Sequence, residues 1–69
     1  MNNTAVTHAV VTGITPNRCT VQFVGSHEDC YEFLVNYPDV DGAILECSTG
    51  EVPEEGTRAY RLDGMVWGK

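Results

Sequence analysis

One segment, Ser26 to Tyr37, reads as a helix, and the other apolar stretches of this 69-residue chain alternate with a period of two. Ser26-His27-Glu28-Asp29 has the form of a capping box with Asp in the Glu place, and its acids sit in the first turn, where a helix dipole favours them. Cys30, Phe33, Leu34 and Tyr37 then recur at i, i+3, i+4 and i+7, which predicts one apolar face directed at a sheet. Pro38 restricts Tyr37 and ends the helix. A single helix among strands limits the fold to an α+β arrangement.

The strands follow from alternation and turn chemistry. Thr4 to Thr12 is rich in Val and Thr, with Val6, His8 and Val10 on one face and Ala5, Thr7, Ala9 and Val11 on the other. Thr15-Pro16-Asn17-Arg18 is a turn, and Cys19 to Val24 a second strand whose Cys19, Val21 and Phe23 are expected to point inward. Val40 to Ser48 returns as a strand, with Ala43, Leu45 and Cys47 opposite Ile44 and Glu46. After a loop to Gly56, the run from Arg58 to Trp67 forms a hairpin around Asp63-Gly64, a pair that favours a type I′ turn. That turn pairs Leu62 with Met65 and Tyr60 with Trp67. These four are expected on the core face, with Arg61 and Val66 facing away. The predicted order is ββαβββ: a four- to five-stranded antiparallel sheet, one helix packed on one face, and a single domain over residues 1–69.

Charge is unevenly distributed. Ser26 to Glu55 holds nine acids and no Lys or Arg, giving −9, while the remaining residues hold four bases and Asp63, giving +3, for a net −6. A one-signed field of this kind favours a protein partner with a basic surface and disfavours direct binding of nucleic acid. On a helical wheel Glu28, Tyr31, Glu32 and Val35 cluster opposite the apolar face. Glu28 and Glu32 are four apart with no lysine between them, a repulsion that costs a few tenths of a kcal/mol. An aromatic residue within a charged rim suits a protein interface. The expected partner-binding residues are Glu28, Tyr31, Glu32, Asp39, Asp41, Glu51, Glu54 and Glu55.

Other functions find little support. No Ser/His/Asp set, phosphate loop or metal signature is present, and so small a chain seldom encloses a catalytic pocket. An enzyme is not expected, nor a cofactor or metal. Cys19, Cys30 and Cys47 fit no ligand spacing and cannot all pair, so they are expected as buried reduced thiols. No apolar run reaches the roughly 20 residues of a membrane span, and the N-terminus lacks a signal peptide's basic and apolar regions. The chain is expected to be cytoplasmic and complete, a monomer or homodimer.

With its strand ending at Val24-Gly25, the helix opening at Ser26 and the closing hairpin from Ala59 to Trp67, the chain resembles the small anti-CRISPR proteins of phages. Some type I-F members have a similar two-strand, helix, three-strand plan with an aromatic-bearing Asp-Gly hairpin. The departure is charge, because this chain is acidic where that plan meets partners through basic residues. The resemblance implies a stoichiometric inhibitor that blocks a protein surface. Together with the charge it leads to the expectation of a non-enzymatic binder that inhibits a basic, nucleic-acid-handling host protein, such as a CRISPR effector, by nucleic-acid mimicry. The rival expectation is a structural or assembly protein of a phage or mobile element that self-associates through a sheet edge.

Overall fold

The computed structural model describes residues 6–48 and 52–68. Five strands and one helix follow in the order β1 (His8–Thr12), β2 (Arg18–Gly25), α1 (His27–Asn36), β3 (Ala43–Cys47), β4 (Arg58–Leu62) and β5 (Met65–Trp67). The element order agrees with the sequence reading, but the sheet is not an open antiparallel one. It closes into a barrel in the order β1-β2-β4-β5-β3, and β3 pairs with β5 in parallel through Glu46↔Met65 and Cys47↔Val66. The remaining pairings are antiparallel. Closure turns an open sheet edge into paired backbone, and the short β3–β5 contact is enough to achieve it.

A barrel of five strands has a narrow interior, and this one is filled by small side chains. Ala9, Val11, Cys19, Val21, Cys47, Ala59 and Val66 form the buried cluster, with Val24 and Leu45 packed against it. No aromatic ring belongs to it. This overturns the expected orientation of the last hairpin. The turn is as predicted, with Asp63 and Gly64 both at positive φ and the register Tyr60↔Trp67 and Leu62↔Met65. The faces are reversed: Val66 is fully buried, whereas Leu62 is 44% exposed. Val66's register partner Arg61 shares the inward side. At the mouth of the barrel Arg61 Nη1 donates to the carbonyl oxygens of Thr15 and Pro16, at 3.1 and 3.2 Å. Interior width, not hydrophobicity, selected which side faces in.

Phe23 is reversed for a different reason. Val10 pairs with Phe23 and the next residue, Val11, pairs with Val21, so Gln22 is an extra residue in β2. This β-bulge breaks the period of two. Cys19 and Val21 point into the barrel as expected, but Phe23 is carried to the outer face beside Val10, and Val24 returns inward. Gln22 is exposed, and its Nε2 donates to Thr12 Oγ1 at 2.9 Å.

The helix packs on that outer face, over β1, β2 and β3. β1 is therefore covered on both sides, and Ala9, Val10 and Val11 are all fully buried. Phe33 stacks on Phe23 with ring centroids 4.8 Å apart, and His27 meets His8 edge-on at 5.1 Å. Ser26 is the N-cap: its Oγ accepts from the Asp29 backbone N–H, at 3.1 Å. At the other end Tyr37 is the C-cap, its N–H donating to the Phe33 carbonyl. Its backbone has left helical geometry at φ −126° and ψ 70°, and its side chain is 56% exposed instead of facing the sheet. Cys19, Cys30 and Cys47 are free and buried. No helix among the described residues is long and apolar enough to cross a membrane.

Candidate protein-binding face

The helix presents the surface its periodicity foretold. Packing of Cys30, Phe33 and Leu34 toward the barrel turns Glu28, Tyr31, Glu32 and Val35 to solvent, with Tyr31 61% and Val35 59% exposed. Two large apolar side chains set between carboxylates on one helical stripe can supply a contact centre with a charged rim. Asp39 and Asp41 are exposed in the segment that leads from the helix to β3.

The second acidic segment divides. Glu54 and Glu55 are exposed, and Glu51 lies outside the described residues. Glu55 also has an internal bond. β2 runs past the end of β4, whose register covers only Arg18, Cys19 and Thr20, and loop backbone continues the ladder through Val21 N–H to Thr57 O and Gly56 N–H to Val21 O. Beyond them, Glu55 Oε2 accepts the Val24 N–H at 3.1 Å. The carboxylate thus closes a strand edge beside the bulge, a duty that nothing in the local sequence marks.

The arginines lie at the far end of β2. Arg58 Nη1 donates to Gly13 O and Thr20 Oγ1, each at 3.0 Å. Arg61 bonds the carbonyls of the β1–β2 turn, and Arg18 lies 5.7 Å from the centre of the Tyr60 ring. Arg18 and Gly25, the ends of β2, are about 23 Å apart at roughly 3.3 Å per residue. The arginines serve oxygens and a ring around the β1–β2 turn, while the helix that carries Glu28 and Glu32 starts just past the opposite end of the strand, at His27.

Between β2 and the helix is a groove that the sequence did not disclose. Phe23, Asp29, Glu32, Phe33, Asn36 and Tyr37 line a cavity of about 400 Å³. The ring of Phe33 lies between the other two, 4.8 Å from Phe23 on one side and 4.8 Å from Tyr37 on the other. The groove depends on the two residues whose orientations were expected to be inward: the bulge brings Phe23 out, and the cap geometry swings Tyr37 off the helical face. The acid pattern at Asp29 and Glu32, one helical step apart on the groove side, was the only sequence signal. Among the described residues, no three His, Cys, Asp or Glu side chains are gathered so as to hold a metal ion.

No protein-family model, curated protein or solved structure matches this chain.

Proposed function

We infer that this chain is a non-enzymatic binding protein whose acidic helical face engages a basic, nucleic-acid-handling protein of a host cell and inhibits it, in the manner of a nucleic-acid mimic. The observation that supports it is the separation of charge along β2. Glu28 and Glu32 are exposed on the helix, Asp39 and Asp41 in the segment after it and Glu54 in the loop before β4, whereas the arginines are engaged around the β1–β2 turn. Exposed carboxylates without local cations can offer a partner's Arg and Lys what a phosphate backbone offers. Tyr31 and Val35 add the apolar contact that charge alone lacks. A CRISPR effector is one target of this kind.

The test is capture from bacterial lysate by the purified protein at low and high salt, with the captured protein identified. Recovery of a nucleic-acid-binding protein that duplex DNA and high salt both displace supports the reading. Glu28→Lys with Glu32→Lys should abolish capture while the far-UV circular dichroism stays unchanged. Undiminished capture by that double variant would sink it.

A second reading has an observation of its own. Tyr60, Leu62, Met65 and Trp67 share the outer face of the β4–β5 hairpin, an apolar side facing away from the barrel interior. A small structural or assembly protein could self-associate through this face. An edge-to-edge route is poorly served by a closed barrel. Sedimentation across a hundredfold range of concentration separates the two readings, because self-association predicts a growing oligomer and the inhibitor reading a constant mass.

A further inference from the structure

We propose that the groove between β2 and α1 receives an arginine side chain of the basic partner. The assignment rests on the proposed function for the partner's charge, and on the groove's own chemistry for the residue type. Three aromatic rings, Phe23, Phe33 and Tyr37, form one continuous wall, with neighbouring centroids 4.8 Å apart. Asp29 and Glu32 supply two carboxylates to the same lining, and Asn36 a side-chain amide. The cavity of about 400 Å³ lies toward the small end of ligand clefts, large enough for one long side chain with its flanking backbone.

A planar guanidinium matches this lining better than other side chains. It can stack on the exposed ring of Tyr37, at the end of the aromatic stack, through cation–π attraction while its edge donates in a fork to carboxylate oxygens. An ammonium is a hydrated point charge that gains less from the rings. A carboxylate or phosphate would meet Asp29 and Glu32 at close range and be repelled. Among the described residues the arginines are held around the β1–β2 turn and none of them lines the groove. Gly25 contributes to the shape. A Cβ there would come within 3.2 Å of the Phe23 ring and 3.1 Å of Asp29 Cβ, so glycine lets ring and carboxylate lie side by side.

The experiment uses the intact protein and three capped Gly-Ser peptides that differ in one central residue: arginine, lysine or citrulline. Citrulline keeps the shape of arginine without its charge. Titration is followed by the aromatic proton resonances of Phe23, Phe33 and Tyr37. Saturable shifts at least tenfold tighter for arginine than for citrulline, and tighter for arginine than for lysine, are expected. Tyr37→Ala and Glu32→Gln should each weaken arginine binding at least threefold. Both positions are exposed, and unchanged thermal unfolding serves as the control for folding. Equal shifts with citrulline, no saturable shift, or full binding by Tyr37→Ala would overturn the assignment. Lysate capture keeps the two ideas apart. Capture lost in Glu28→Lys but intact in Tyr37→Ala leaves the acidic-face reading standing and rejects the groove. Arginine-selective shifts without any basic protein captured support the groove and reject the function.

Discussion

Phe23 of β2 and Phe33 of α1 lie nearly parallel, 15° apart with centroids at 4.8 Å, and this stack ties the helix to the outside of the barrel. It depends on an irregularity. Were Gln22 paired in regular alternation instead of bulged, Phe23 would fall inside a barrel too narrow for it. The same contact forms the floor of the candidate groove, so helix docking and site geometry share one cause.

Removing the stack should therefore be measurable as stability. Both rings are half-buried, and Phe33→Ala is expected to cost about 2 kcal/mol, below the full-burial range for such a truncation. A double-mutant cycle with Phe23→Ala should give a coupling of about 1 kcal/mol by urea unfolding. Strict additivity of the two changes would show that the rings do not support one another.

Deletions should test the bulge. Loss of Gln22 leaves Val21 inward, Phe23 outward and Val24 inward, now in regular alternation, so the shortened chain should fold with a loss of about 1–2 kcal/mol. Loss of Thr20, two residues earlier, shifts Cys19 against both β1 and β4 and reverses its face. That variant should fail to fold. Near-ultraviolet circular dichroism of the two deletions decides, and equal damage in both contradicts the assigned register.

Gly42 marks where the chain enters β3 closely against β1. A Cβ at this position would lie 3.0 Å from Val10 Cγ1 and 3.0 Å from the Val11 carbonyl oxygen. The second contact is backbone and cannot rotate away. Gly42→Ala should cost about 1–3 kcal/mol through overpacking, read from the urea midpoint. A stability within a few tenths of the parent would mean that β1 and this segment can separate freely.

Burial pushes the thiols of Cys19, Cys30 and Cys47 above their ordinary value of 9.0. For Cys19, Arg61 and Arg58 partly oppose the rise; for Cys30, Cys47 and Asp29 add to it, and for Cys47, Glu46 does. As pH rises, the unfolded chain loses these protons first. The thiols' contribution is thus fully present below about pH 8 and declines as pH climbs through the raised folded-state values. Unfolding midpoints should fall above pH 9, and less steeply in Cys47→Ala. At pH 7.5 a thiol reagent should react slowly with the native protein and at once in urea. Equal rates in the two states would contradict burial of the cysteines.

Much of the fold was legible because its signals are local. Ser26 with Asp29, the spacing of Cys30, Phe33 and Leu34, and Pro38 define a helix within one stretch of chain. Asp63-Gly64 dictates a turn geometry that places Tyr60 opposite Trp67 wherever the hairpin is docked. The exposed stripe of Glu28, Tyr31, Glu32 and Val35 followed from the same helical period. Tyr37 departs from that period because the chain leaves the helix at its C-cap. The bond that Glu55 makes is not legible locally, because its partner, the Val24 amide, lies 31 residues away.

By itself, the sequence determined the identity and order of the elements, the tight turn and the segregation of charge, because each is written in neighbouring residues. The tertiary structure alone decided which face of each strand is the inside. Pairing β3 with β5 closes the sheet, and the small bore that results admits Ala, Val and Cys and turns the rings outward. No period along the chain encodes the radius of a barrel, which emerges only when residues distant in sequence meet.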